Sequence, residues 1–159
     1  MYFVVISDNH GNEEILSKLR NRHPDACAYI HCGDSELPVE AMDGWVSVRG
    51  NTDYYSGYED KKIVKINDRL SVLVIHSHRQ SINRLKTLAA LAKVNNCQMV
   101  CYGHTHVFAY DEVDGIKLLN PSSLFYNRDR SPISYALVYL SDFSDSITVK
   151  RMEVKKRSF

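Results

Sequence analysis

The chain has 159 residues, 44% hydrophobic and 25% charged, and its 20 basic and 19 acidic side chains leave a formal charge of +1. That length and balance suit a single domain over residues 1–159 with its own hydrophobic core, and they exclude disordered, collagenous and low-complexity chains. A charge this close to neutral gives no broad field for duplex nucleic acid, so no stable nucleic-acid complex is expected.

Tyr2 to Ser7 is a continuous apolar run of strand length. It is too short for a signal segment and lacks a basic flank, and no run approaches the roughly 18 apolar residues of a membrane span. A cytoplasmic protein with no membrane partner is expected. Glu13 to Arg22 places Ile15, Leu16 and Leu19 at helical spacing before Pro24 ends the helix. Ala26 to Cys32 and Trp45 to Val48 read as buried strands, each running into a glycine-bearing loop, Cys32-Gly33-Asp34 and Arg49-Gly50-Asn51. Lys61 to Ile66 and Leu70 to His76 flank Asn67-Asp68-Arg69 as a hairpin, Ile82 to Lys93 is an amphipathic helix, and Met99 to Tyr102 is a short strand. Val107 to Val113, Gly115 to Leu119, Tyr135 to Leu140 and Ser146 to Val154 then read as an antiparallel series with turns at Asp114-Gly115 and Ser141 to Ser144. The sum is an α/β chain with a mixed sheet, or two packed sheets, and helices outside. Cys27, Cys32, Cys97 and Cys101 lie in apolar runs and are expected to pack as reduced core residues. The basic stretches Lys150-Arg151 and Lys155-Lys156-Arg157 are expected to be a solvated edge strand and tail.

The strand ends carry the chemistry. After successive strands stand Ser7-Asp8-Asn9-His10, Gly33-Asp34, Gly50-Asn51, His76 and Gly103-His104-Thr105-His106. Open α/β sheets place ligands outside the carboxyl ends of their strands, so five loops converge on one edge. The donors Asp8, His10, Asp34, Asn51, His76, His104 and His106 comprise carboxylates, one amide and imidazoles. Such a set suits Mn²⁺, Fe²⁺, Zn²⁺, Co²⁺ or Ni²⁺, with Mn²⁺ preferred. Seven donors exceed one tetrahedral site and match two divalent ions that share a carboxylate. His104 and His106, two apart in extended chain, face one side, and Gly103 lets the backbone kink there.

The ordered series Asp8-x-His10, Gly33-Asp34, Gly50-Asn51-x-Asp53, His76-x-His78 and Gly103-His104-x-His106 resembles the calcineurin-like metallophosphoesterase superfamily, in particular its small single-domain bacterial and archaeal phosphodiesterases. The resemblance implies two packed mixed β-sheets, a β-sandwich, flanked by helices. It implies one metal on Asp8, His10, Asp34 and His106 and a second on Asp34, Asn51, His76 and His104, with Asp34 and a hydroxide bridging. It further implies a catalytic set of Asp34, Asn51 and His78, with Asn51, Thr52 and His78 at the substrate.

The chain departs from that pattern in two places. Larger members of the superfamily carry a His directly after the metal-binding Asn; here that residue is Thr52, so the acid role passes to His78 or to metal-bound water, with ligand orientation an equal reading for His78. In Asn120-Pro121-Ser122-Ser123, Ser122 replaces a glycine and would be strained if the turn requires a positive φ. Asp53 is read as supporting, and Arg49, Arg79, Arg128 and Arg130 as solvated arginines able to contact phosphate. The tyrosine-rich loop Tyr54-Tyr55-Ser56-Gly57-Tyr58 suits a nucleobase or a dimer contact, the dimer being preferred. The expected activity is metal-dependent hydrolysis of a small or nucleotide-like phosphodiester by a homodimer or higher homo-oligomer. The alternatives are a phosphomonoesterase and a non-catalytic protein-binding scaffold such as the retromer subunit that shares the superfamily's fold. The complete donor set speaks against a decayed site.

Overall fold

The computed structural model describes residues 1–155. Two five-stranded mixed sheets form it. One has the order β10-β9-β1-β2-β3, from Ile147–Glu153, Ser134–Leu140, Tyr2–Ile6, Tyr29–His31 and Val46–Ser47; the other has the order β4-β5-β6-β8-β7, from Lys61–Lys65, Ser71–Ile75, Met99–Tyr102, Ile116–Pro121 and Phe108–Val113. In the first sheet β1, β2 and β3 run parallel and β9 and β10 extend it antiparallel; in the second β5, β6 and β8 run parallel, with antiparallel β4 and β7 at the edges. This is the two-sheet arrangement expected from the resemblance.

Alternation within the strands sorts the core into three layers. Phe3, Val5, Ile30 and Val48 of one sheet meet Val72, Val74, Met99 and Leu119 of the other, with Cys32 and Cys101 among them. The alternate residues Val4 and Ile6 face outward onto Ile15, Leu16 and Leu19 of α1 (Glu14–Arg22). Leu73, Val100 and Leu118 face outward onto Leu88, Ala89 and Ala92 of α2 (Arg84–Val94). One helix therefore seals each face of the sandwich.

Four sequence expectations change. The last four strands do not form one antiparallel series: β7 and β8 join the second sheet and β9 and β10 the first, because β8 finds a parallel partner in β6 and β9 an antiparallel one in β1. The β7–β8 turn still follows its sequence, with Asp114 at φ 52° and Gly115 at φ 79°, the pair of positive angles a two-residue hairpin requires. The second strand is only Tyr29–His31, so Cys27 lies outside it and is exposed rather than in the core, although its N–H still bonds the Tyr2 carbonyl. The second helix begins at Arg84, leaving Ile82 outside it and exposed. At the edge strand β10, Lys150 lies over the Tyr139 ring, while Arg151 is engaged by Ser131, Pro132 and Ser134 instead of being free in solvent. Lys156 and Arg157 of the basic tail lie outside the described residues.

Candidate metal centre

Because β1, β2, β3, β5 and β6 share one direction across the two sheets' parallel segments, the loops after them meet at one end of the sandwich. The backbone there is bent hard: Asp8, His10, Asp34, His104 and His106 hold φ between 44° and 73°, in the left-handed region that non-glycine residues seldom adopt. Such angles persist only where the surroundings fix them, and they gather at functional sites. Two glycines make room for the fit. A Cβ on Gly50 would overlap the Asp34 carboxylate and backbone, and one on Gly103 would overlap Ser7 Oγ and lie 2.8 Å from Asp8 Oδ2.

The side chains converge as acceptors. His106 Nδ1 lies 2.9 Å from the Tyr126 carbonyl and His76 Nδ1 2.8 Å from the Cys32 carbonyl. A carbonyl only accepts, so each of these nitrogens carries the proton and each Nε2 is left with a lone pair. His10 Nδ1 donates in the same way to Glu36 Oε1 at 2.7 Å. The free Nε2 atoms then face other acceptors. His106 Nε2 is 3.0 Å from Asp8 Oδ1 and 3.4 Å from His10 Nε2; His76 Nε2 is 3.0 Å from Asn51 Oδ1, 3.2 Å from Asp34 Oδ2 and 3.9 Å from Asp8 Oδ1. His104 Nδ1 closes on Asn51 Oδ1 at 2.9 Å. Lone pairs set against lone pairs repel unless a cation stands between them, so the residues present fit divalent metal. Two groups of mutually close ligand atoms result, Asp8 with His10 and His106, and Asp8 with Asp34 and His76. The residue common to both is Asp8, whereas the resemblance puts the shared carboxylate at Asp34.

In the metal-free protein, protons take up part of this tension. Burial works against a charge on His76, but the bond to Asp34 and the charges of Asp8 and Asp34 prevail and raise its pKa. Burial likewise opposes ionisation of Asp34, while His76 and the Thr52 N–H at 2.9 Å on Oδ1 hold its carboxyl well below the usual range. His104 moves the other way: burial, then His76 and Arg84, lower its pKa to about 4.

The remaining sequence candidates occupy distinct places. The His78 ring centre lies 5.5 Å from that of His76 and 6.2 Å from that of His104. Its Nδ1 is buried without a hydrogen-bond partner among the described residues, as is Thr52 Oγ1. Burial, followed by His76 and Arg79, lowers the His78 pKa. Asp53 ties the loops together, accepting from the N–H groups of Asp34 at 2.9 Å, Glu36 at 2.8 Å and Gly50 at 2.6 Å. Arg49 bonds the Tyr58 carbonyl and Arg79 pairs with Asp60, and Arg130 is exposed. Arg128 is near enough to His104 to lower its pKa, as is Arg84, which the sequence did not single out.

Ser122 stands at φ 71° as its replacement of glycine foretold, and Asn120 to Ser123 are all buried. They brace the site from behind. Asn120 Nδ2 donates to the Gly103 carbonyl and Thr105 Oγ1, and Ser123 Oγ to the Asp8 carbonyl. Glu36 also went unseen in the sequence, since 26 residues separate it from His10.

Such a fold with such a centre defines a metallophosphoesterase. The sequence model of the calcineurin-like phosphoesterase superfamily domain matches residues 1–142, and the chain belongs to that superfamily. It is 32% identical over 154 residues to a probable metallophosphoesterase, YsnB, of Bacillus subtilis (strain 168), covering 94% of this chain and 89% of that protein. A Streptococcus pneumoniae TIGR4 structure described as a predicted phosphoesterase superposes with a TM-score of 0.88 at 29% identity, over 96% of this chain and 88% of that one. A structure described as a novel archaeal phosphodiesterase shares the fold, with a TM-score of 0.71 at 21% identity over 96% of this chain and 100% of that one. The chain is therefore a phosphoesterase of a family that uses divalent metals.

Proposed function

We propose that the protein is a binuclear metal-dependent phosphodiesterase acting on a small or nucleotide-like phosphodiester. The observation that carries this reading is the convergence of three imidazole Nε2 atoms, one amide oxygen and two carboxylates within ligand distance of one another. Asp8, His10, Asp34 and His106 would hold one ion and Asp34, Asn51, His76 and His104 the other, Asp34 being assigned as the bridge by the family resemblance. Mn²⁺ is the preferred metal. When bound, such a pair supplies a nucleophile at neutral pH and the positive charge that phosphoryl transfer requires.

The chain's own residues orient and restrain. Glu36 and the Cys32 and Tyr126 carbonyls fix the tautomer and angle of three imidazoles, so the donors need no reorganisation when substrate arrives. Arg84 and Arg128 put positive charge on the His104 side, where it offsets phosphate. His78 offers a ring nitrogen whose hydrogen bond is unfilled, which suits contact with a phosphate oxygen or a departing oxygen. Because its pKa is lowered, His78 acts there as a neutral group and not as an imidazolium acid. With no strong acid at the leaving oxygen, diesters of good leaving groups are the preferred substrates, ahead of monoesters.

The test is hydrolysis of a chromogenic phosphodiester and of the matching monoester by chelator-stripped protein, before and after Mn²⁺ is returned. The reading expects diester turnover, exceeding monoester turnover, only with metal. Faster monoester turnover would make the protein a phosphomonoesterase, and silence with every divalent metal would favour the scaffold. Asp34→Asn is expected to reduce metal-restored turnover by at least a hundred-fold, and full activity in that variant would remove Asp34 from the centre.

A further inference from the structure

Beside the metal-binding edge, Glu36, Thr52, Tyr54 and Tyr55 line a cavity of about 230 Å³. Two of its walls are bonded directly to the centre: Glu36 Oε1 to His10 Nδ1, and the Thr52 N–H to Asp34 Oδ1. The other two walls are aromatic rings left 92% and 48% exposed. Their loop is anchored at both ends. Asp53 holds it through the N–H groups of Asp34, Glu36 and Gly50, and the buried Tyr58 holds it through a hydroxyl bond to the Leu37 carbonyl at 2.8 Å. Exposed aromatic rings on a fixed backbone offer contact area whose backbone ordering cost is already met.

A second observation points to a ligand. Thr52 Oγ1 is buried and has no hydrogen-bond partner among the described residues, although buried hydroxyls ordinarily have one. The cavity it lines is smaller than the roughly 300 to 1,000 Å³ usual for a whole drug-sized ligand, so it suits one ring system attached to something bound elsewhere. The Glu36 carboxylate disfavours a second anionic group there and favours a ring edge bearing N–H donors.

Resting on the phosphodiesterase reading, we infer that this cavity is the subsite for the nucleobase of a nucleotide phosphodiester. The base packs against Tyr54 and Tyr55 with its polar edge toward Thr52 and Glu36, while its phosphate lies at the metal-binding edge. A dimer contact would also cover the tyrosines, but it accounts neither for the concavity nor for the unfilled Thr52 hydroxyl.

The test compares two esters with the same leaving group, thymidine 5′-(p-nitrophenyl phosphate) and p-nitrophenyl phosphorylcholine, on the Mn²⁺-loaded protein. Wild type is expected to show the lower KM for the thymidine ester. The double variant Tyr54→Ala with Tyr55→Ala is expected to raise that KM about ten-fold or more, with kcat little changed and the choline ester unaffected. Tyr54→Ala alone, at a ring 92% exposed, serves if the double variant is unstable. Independently of turnover, adenosine 5′-monophosphate but not ribose 5-phosphate is expected to shift tyrosine ring resonances in the NMR spectrum. Turnover of neither ester would defeat the phosphodiesterase reading, and the resonance shift would then decide the subsite by itself. Turnover of both esters in a ratio the variants leave unchanged would overturn the subsite alone. So would a variant that turns a dimer into a monomer while leaving the ratio as it was.

Discussion

At the scale of single residues, the centre depends on groups that aim its imidazoles as much as on the imidazoles. Glu36 holds the Nδ1 proton of His10 and so presents Nε2. Replacing it by glutamine or alanine leaves every proposed ligand in place, yet Mn²⁺ affinity is expected to fall by about ten- to a hundred-fold in a competition titration. Unchanged affinity would show that the carboxylate does not orient His10. Gly103→Ala probes packing instead: its Cβ would strike Ser7 Oγ beside Asp8, and denaturant unfolding is expected to record a loss of roughly 1–3 kcal/mol. The residues that converge here were legible in the sequence because each follows a strand end, where side-chain identity alone signals chemistry. Glu36 was not, being far from His10 in the chain. The carbonyls of Cys32 and Tyr126 were not either, since a backbone acceptor has no sequence signature. Arg84 was hidden by being the first residue of an otherwise ordinary helix.

Among the elements, the segment between β8 and β9 carries the chain from one sheet to the other and ties the loops of both. Asn120 makes two hydrogen bonds behind the Gly103 loop and is fully buried. Asn120→Ala is expected to cost about 1–3 kcal/mol in urea unfolding and to weaken metal binding at His104 and His106. Loss of stability with metal binding intact would separate the brace from the site. Leu19, buried at the centre of the α1 face, is expected to cost 2–5 kcal/mol on truncation to alanine. The strand periods and both helices were readable from apolar spacing. Which sheet each late strand joins was not, because β7 to β10 alternate alike and only partners distant in sequence, β6 and β1, decide between sheets. The shortness of the second strand was equally hidden: Ala26 to Cys32 is apolar but for His31, and only three of its residues are built into the sheet.

For the whole molecule, two parallel segments pointing the same way bring remote loops to one end, and helices seal the outer faces. Among the described residues no helix is long and apolar enough to cross a membrane. Buried neutral imidazoles give this fold an acid limit. His31 accepts from the Gly33 N–H at Nδ1 and donates from Nε2 to Asn9, and burial lowers its pKa to about 4 despite the opposing charges of Asp53 and Asp8. Between the unfolded value near 6.5 and this folded one, the unfolded chain binds a proton that the folded chain refuses. The stability that His31 contributes is therefore complete above about pH 6.5 and declines as pH falls toward 4, by an amount on the order of 3 kcal/mol. His76, with its pKa raised, loses its contribution only as pH rises above 6.5, and Asp34 loses its own only below the carboxylate range, so neither masks this window, while His104, also lowered to about 4, adds to the same loss. Urea midpoints of metal-free protein at pH 6.5 and pH 5 check it, and equal midpoints would contradict the neutral, buried His31.

The centre itself is tested most directly by counting metal. Calorimetric titration of chelator-stripped protein with Mn²⁺ at neutral pH is predicted to reach two equivalents per chain. One equivalent, or none, would contradict a binuclear site built from these seven side chains.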